Sequence, residues 1–450
     1  MSQKNKTNVL EVLKTLVANA KLTDDSTNLQ ENILALLSCN EEKQIDVYGD
    51  SRLLLSPDIL KESAEKILCE YKEIKKSISN EYFQNELRNI VLDCIKNGTI
   101  PTKETIDRLM KEIESVMPIQ TWEVFRPFYG AELISSETFE LGGYKIYSIP
   151  KYQEAVKEIP HLDLLTRSNP DTAQHHLIIS VKVDARDAVK ADELACSKFH
   201  QFDNIIRYML GSLDNSLDVG VFEYVGASIE KVFLLSSPKN HHSRSRINGV
   251  FQPVELDGKF PIRFEGMDQE QFSSMPEYYF KNAQFGHEWI WEVASTPNPT
   301  KLQSKIITAI EWVGKAIRDN DNARAFVQVV FAFESIFTFQ EKNVLVSPGI
   351  ANQISESVAF ILGTNLEERI VCEKQAKTIY GNRSAIAHGG SSSISDIELD
   401  EAIDLIKRVI LKMTTETNFK SMNSIEEFYK WMQQQKYSCV EATQTNLRAD

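Results

Sequence analysis

Ile379-Tyr-Gly-Asn-Arg383-Ser-Ala-Ile-Ala-His388-Gly-Gly390 closes a helical pattern that begins near residue 366. Paired glycines stop a helix because they reach left-handed backbone at little steric cost. The stretch therefore marks the end of one long helix, about 366–388, and the chain on both sides repeats the same period. Upstream, Leu302, Ile306, Ile310, Val313 and Ile317 line one stripe, and Phe326, Val329, Val330, Phe333 and Phe337 a second. Ser347-Pro348 reads as the N-cap and first position of a third helix, with Ile350, Ile354, Val358 and Ile361 as its stripe. Downstream, Ser395-Asp-Ile-Glu398 is a capping box opening a helix to Met413, and Ser424-Ile-Glu-Glu427 caps a shorter one. Residues 300–435 are thus expected to form an all-α bundle.

The chain has 450 residues, more than one ordinary core holds, so several domains are expected. Residues 1–118 read as helices. Ile59, Leu60, Ala64, Ile67, Leu68, Tyr71 and Ile74 form one stripe, Phe83, Leu87, Ile90, Val91, Cys94 and Ile95 the next, and 102–117 a third helix stopped by Pro118. From 119 the period shortens. Trp122–Arg126, Ala131–Ile134, Tyr144–Ile149 and His176–Val183 read as strands, with Leu141-Gly142-Gly143 as a hairpin turn and a helix near 187–211. Residues 119–295 form this mixed α/β region, and Ser-Thr-Pro-Asn-Pro at 295–299 marks its end. The fold class expected is α+β multidomain: N-terminal helices, a mixed middle region and a C-terminal helical bundle.

A composition of 42% apolar and 25% charged residues is that of a globular protein, and the net charge of −14 disfavours a basic coat for nucleic acid. It leaves room for a small cationic cleft. The six cysteines stand singly; Cys69 and Cys94 fall on apolar stripes and read as small core residues. That usage suits a reducing cytoplasm and supports no paired-cysteine zinc site. Val9 to Ala20 reads as an amphipathic helix rather than a leader, and no apolar run is long enough for a membrane span.

Arg383 and His388 supply two things that RNA cleavage without a metal needs. Arginine is a permanent planar cation that matches phosphate oxygens, and histidine exchanges a proton near neutral pH. On one straight helix the two lie ~140° apart with a rise of ~7.5 Å, so a single copy points them in different directions. Two copies facing across a two-fold axis would unite them, making dimerisation a condition of activity. The plainer reading leaves Arg383 as a surface ion-pair former and His388 as a helix-end residue satisfying carbonyls. Glu334 stands in the otherwise apolar run Phe331–Phe337, where a carboxylate is costly unless paired. It either orients Arg383 or His388, or sits at the edge of the packed stripe.

On these residues the chain resembles the ApeA-like HEPN domains: a tyrosine at 380, Arg383-Ser384, then His388-Gly389. Ala309-Ile-Glu-Trp312 and Ala332-Phe-Glu334-Ser-Ile336 are similar to the first two helices of that family, and Ser355–Gly363 to its third. The resemblance covers about 300–413, and Val183-Asp-Ala-Arg-Asp187 to Leu210-Gly211 is similar to a segment that often precedes such domains. It implies a metal-independent endoribonuclease, often a toxin or anti-phage effector, acting without a cofactor at a homodimer interface on an RNA substrate. His388 would handle the proton of the attacking 2′-hydroxyl or of the leaving oxygen, and Arg383 would neutralise the scissile phosphate. The family commonly has Asn, Asp or His directly after the arginine, where this chain has Ser384. Tyr380 and Asn382 would support the motif by packing and capping, with Asn382 a further phosphate contact. Residues 1–295 would sense a protein or phage-derived trigger, or hold the nuclease off. The competing expectation is a non-catalytic protein that dimerises or binds RNA or nucleotide, its R-x4-H motif being structural.

Other motifs carry less. His241-His-Ser-Arg-Ser-Arg246 reads as a solvated basic loop, and His175-His176 has no ligand partner at metal spacing. Phe285-Gly-His-Glu-Trp-Ile-Trp291 reads as packing against the last domain. Phosphate-loop, nucleophile-elbow and zinc-protease motifs are absent from the sequence.

Overall fold

The computed structural model describes residues 8–24, 44–48, 51–129, 131–133, 138–148, 177–211, 220–221, 227–228, 233–234, 262–264, 279–339, 349–387 and 393–438. Their architecture is α+β. The chain divides into two compact units: Met1–Val124 with Lys182–Ala195 and Gly226–Leu235, and Phe125–Val181 with Cys196–Val225 and Ser236–Asp450. Among the described residues no helix is long and apolar enough to cross a membrane. His175, His176 and the 241–246 loop lie outside them.

The first unit is built on helices α1 (Val9–Ala18), α2 (Pro57–Glu70), α3 (Lys72–Ser77), α4 (Asn80–Lys96) and α5 (Lys103–Val116). One core collects Leu13, Leu16, Leu60, Ile67, Phe83, Leu87, Val91, Ile106 and Ile113 from these faces. Helices alone were expected over 1–118, but three short strands interrupt them: β1 (Lys21–Asp24), β2 (Gln44–Tyr48) and β3 (Ser51–Leu55), paired antiparallel in the order β1-β3-β2. Leu53 and Leu55, two apart on β3, alternate into the same core. The stripe read through Tyr71 breaks there, where the backbone leaves helical angles between α2 and α3. Cys69 is exposed, contrary to its reading as a core residue, and accepts from the Lys75 ammonium at 3.2 Å; Cys94 is buried.

β4 (Gln120–Tyr129), β8 (Leu177–Ala185) and α6 (Ala188–Leu210) each run from one unit into the other. Within the first unit, β10 (Ala227–Ser228) and β11 (Phe233–Leu234) extend the sheet in the order β10-β11-β4-β8. The start of α6 is fixed here. The Asp187 carboxylate accepts from the Lys190 amide at 2.9 Å as an N-cap, and from the buried Ser79 amide at 2.8 Å. Beside it the Arg186 amide donates to the Ser77 carbonyl at 2.7 Å.

In the second unit the strand order is β4-β8-β7-β6, with β6 (Thr138–Leu141), β7 (Tyr144–Ser148) and β9 (Gly220–Val221), the last paired to β4. β6 and β7 are joined by the Gly142-Gly143 turn, which needs φ +55° at Gly142 and leaves no room for a Cβ against Ser295 and Trp291. Phe202, Tyr144 and Trp291 pack ring on ring beneath this sheet, and the Tyr144 hydroxyl donates to the Lys198 carbonyl. Trp291 belongs to α7 (His287–Ser295), whose aromatic run packs inside this unit.

The helices that follow are α8 (Lys301–Arg318), α9 (Asn322–Phe337), α10 (Ile350–Leu362), α11 (Leu366–Ala387), α12 (Asp396–Thr415), α13 (Thr417–Lys420) and α14 (Ile425–Ser438). α8 pairs with α9, α10 with α11, and α12 packs on α9. The Ser395 and Glu398 capping box forms, and the Ser424 hydroxyl accepts from the Glu427 amide. α10 starts at Ile350 with Gly349 as N-cap, later than the Ser347-Pro348 reading, whose residues lie outside those described. The 295–299 stretch joins α7 to α8 inside one unit.

Burial charges two groups in this unit with opposite pH effects. Burial pushes the His287 imidazole down to about 4, although its Nδ1 lies 2.7 Å from the Tyr279 carbonyl oxygen, and Lys407 adds to the depression. Burial pushes the Asp203 carboxyl up to about 6 against the pull of Arg207. As pH falls from 6.5 towards 4, the unfolded chain protonates His287 and the folded chain does not, so stability falls. Asp203 offsets part of this, since the folded state takes up its proton first, from about 6 down to 3.8. Replacing His287 by Gln removes the first effect and keeps the second. The loss of stability between roughly pH 7 and 5 should then shrink by up to about 2 kcal/mol, measured by denaturant titration of both proteins.

Candidate functional site

Arg383 sits on the last turns of α11. This helix opens with the Asn365 side chain accepting from the Glu368 amide at 2.9 Å, and with Glu368 accepting from Thr364 at 2.8 and 2.7 Å. Cys372, Ala376 and Ile379 form its buried seam. Arg383 lies seven residues on from Ala376 and four on from Ile379, so the packing of the seam carries its side chain inward to α9.

On α9 it meets Glu334. The Arg383 guanidinium NH2 lies 3.7 Å from Glu334 Oε1, with the two side chains 28% and 21% exposed, so the pair is shielded from most solvent. Its Cζ lies 6.0 Å from the Phe331 ring centre and 5.9 Å from that of Tyr380. The guanidinium is thus bracketed by two aromatic rings, which favour a cation. Tyr380 feels the other half of the pair: burial first, then the Glu334 charge, raises its hydroxyl pKa, while Arg383 opposes the rise. Arg383 Nε and Glu334 Oε1 are buried and make no hydrogen bond among the described residues. These two atoms are covered by the protein, so what the site can offer a ligand is the terminal guanidinium nitrogens, which at 3.7 Å make no hydrogen bond to Glu334.

The other residues of the motif divide. The Asn382 amide donates to Glu398 Oε1 at 3.3 Å, joining α11 to the capping box of α12. Hydrogen bonds from Ser395, with Asn382 contributing less, lower the Glu398 carboxyl pKa. Ser384 is half-buried on the neighbouring position. His388 lies outside the described residues, so the arrangement brings together Arg383, Glu334 and Tyr380, with Asn382 one contact away.

Phe331 and Trp312 were not singled out as site residues from the sequence. Trp312 of α8 meets Phe331 edge on at 5.2 Å, and Lys315 rests 4.5 Å above Trp312. The legible signal is spacing: Phe331 lies three residues before Glu334 on α9, hence on the same face.

The chain matches no protein-family model, no curated protein and no solved structure.

The ion pair makes a quantitative prediction. Glu334→Ala and Arg383→Ala should each destabilise the protein, and the double variant should lose about 1–2 kcal/mol less than their sum. Denaturant unfolding of the four proteins measures the coupling. Additivity to within about 0.5 kcal/mol would mean that the contact is incidental.

Proposed function

We propose that the C-terminal helices form a metal-independent endoribonuclease of the HEPN type, with Arg383 and His388 as catalytic residues and the active site shared by two copies of the chain. The observation that carries the reading is the Arg383 guanidinium, held beside Glu334 at 3.7 Å and near the Phe331 and Tyr380 rings. An arginine in a tight structural ion pair spends its donors on its partner; at 3.7 Å this one makes no hydrogen bond to Glu334 and keeps its terminal N–H groups for a phosphate. In the reaction, a 2′-hydroxyl attacks the adjacent phosphorus and the bond to the 5′-oxygen breaks, leaving a 2′,3′-cyclic phosphate and a 5′-hydroxyl. One His388 takes the proton of the attacking hydroxyl and the partner copy's equivalent histidine protonates the leaving oxygen. Arg383 neutralises the charge that builds on the phosphate, and Glu334 and Tyr380 position it. Ser384, a weaker hydrogen-bonder than Asn or Asp, supports the motif beside them.

Support for a homodimer comes from α11 and the start of α12. Leu366, Ile370, Val371 and Ile397 are large apolar side chains between 55% and 73% exposed. Apolar side chains gathered along one helix and left in water mark an interaction surface. The anti-phage or toxin role, the cytoplasmic setting and a triggering function for residues 1–295 belong to this reading. In the competing one the same helices only dimerise or bind RNA or nucleotide, and the R-x4-H motif is structural.

His388→Ala and Arg383→Ala should each lower RNA cleavage by the purified protein at least about a hundredfold. Dimer mass in sedimentation should be kept, cleavage by the natural protein should persist in a chelator, and the products should carry cyclic phosphate ends. Equal cleavage by wild type and His388→Ala would sink the nuclease reading. Ile370→Asp with Val371→Asp should give monomers and remove cleavage together; a fully active monomer would refute the shared site.

A further inference from the structure

A second polar site lies at the other end of α9, about 15 Å along the helix axis from Glu334, judged from the ten residues separating it from Arg324. It is a cleft of about 550 Å³ between α6 and α8, closed at one end by the turn into α9. That is the size of a small-molecule site. Its floor comes from α6, where Asp203, Asn204 and Arg207 are 6–7% exposed in the otherwise apolar run Phe202–Met209. Burying three polar side chains in one helix face is costly unless they are used. Asp203 is partly used: one oxygen accepts from the Val221 amide at 3.0 Å and the other lies 3.8 Å from Arg207. The Asn204 side-chain amide makes no hydrogen bond among the described residues and lines the cleft.

The rim is cationic. Lys315 and Arg318 come from α8, Arg324 from α9, and His200 from α6. The facing carboxylates are engaged. Asp319 takes Arg324 at 2.7 and 2.6 Å and Gln328 at 2.8 Å, and Glu311 takes Gln201 at 2.8 Å. Lys315 has the Trp312 ring for a partner and no ion pair among the described residues. In a chain of net charge −14 this is a local excess of cations over carboxylates. The floor is also rigid. A Cβ at Gly314 would lie 2.1 Å from the Asn204 carbonyl oxygen, so α6 and α8 cross backbone to backbone there and fix Asn204 and Arg207 in place.

We propose that this cleft binds a small phosphorylated, hydroxylated molecule of the sugar-phosphate class. Lys315 and Arg318 take the phosphate, since guanidinium and ammonium groups are its standard partners. Asn204 and Asp203, which together donate and accept, take hydroxyl groups of the body. The volume is several times what a bare phosphate fills. Apart from the His200 imidazole no lining residue is aromatic, and none is aliphatic, so a nucleobase would find little face to stack on. The site is separate from the Arg383 centre and does not rest on the nuclease reading.

The test uses the full chain in calorimetry and thermal-shift titrations. The probes are ribose 5-phosphate, glucose 6-phosphate, inositol hexakisphosphate, adenosine monophosphate, inorganic phosphate and a short single-stranded RNA. A sugar phosphate should bind with a Kd of ~1 mM or tighter and at least about tenfold more tightly than inorganic phosphate. Lys315→Ala and Arg318→Ala should each weaken that binding about tenfold, and Asn204→Ala should weaken it while inorganic phosphate binds as before. The two rim positions are exposed, so these variants fold even where a change at the floor does not. The proposal fails if no sugar phosphate binds, or if binding is unchanged in both rim variants. It also fails if only the RNA responds to them, which would make the cleft a nucleic-acid contact. Adenosine monophosphate binding tightest would overturn the assignment of the body.

Discussion

A helix that is apolar around most of its circumference must be covered on all sides, and α9 is such a helix. Ala325, Phe326, Val329, Val330, Ala332, Phe333, Ile336 and Phe337 are all buried. Each large side chain so placed contributes on the order of 2–3 kcal/mol by leaving water. α8, α11 and α12 are assembled against it to provide that cover. Once they are in place, the few polar groups on α9 have little choice of partner. Glu334 must meet a cation because water is largely excluded, and Arg383 is the cation that α11 brings. Arg324 and Gln328, towards the opposite end, converge on Asp319 at the exposed start of the helix. Both polar sites of the helical unit are thus by-products of where the apolar cover stops.

The aromatic groups bind these sites into one framework. Lys315 on Trp312, Trp312 on Phe331 and Phe331 under Arg383 form an unbroken series across α8, α9 and α11. The two end members are cations: Lys315 has a ring face and no ion pair among the described residues, whereas Arg383 has Glu334 as well as its rings. A ring favours a cation without consuming its hydrogen-bond donors.

Much of the helical part was legible because periodicity and caps are local properties. The Ser395–Glu398 box, the Ser424 cap and the stripes on α8 and α9 fell where the spacing put them, as did the Gly142-Gly143 hairpin. β1 to β3 were not legible. Ile45-Asp-Val-Tyr48 alternates over too few residues to stand out, and Leu53-Leu-Leu55 suits a helix as well as a strand. Cys69 misled because its neighbours on the stripe are buried while its own position lies at the frayed end of α2. At the candidate site, the apolar setting of Glu334 signalled that it needed a partner, but not which one. The polar cleft escaped altogether, since its cations come from separate segments and form no motif in the sequence. Its trace in the sequence was Asp203, Asn204 and Arg207 within an apolar helical run.

The first unit is assembled from three separate stretches of chain, and its ties reach far along the sequence. Asp187 and Ser79 are 108 residues apart, and the side chains of Arg186 and Ser77, also joined, are 109 apart. On a ribosome making the chain from its N-terminus, helices α1 to α5 emerge well before the segment that caps them. They must wait for 182–195, and for 226–235 after that, before the unit is complete. Contacts of such long separation close slowly, because loop entropy is lost before any contact repays it. The second unit receives its last helices later still. The first unit can close once residue 235 is made, whereas Arg383 joins Glu334 only after the chain has been synthesised past residue 383.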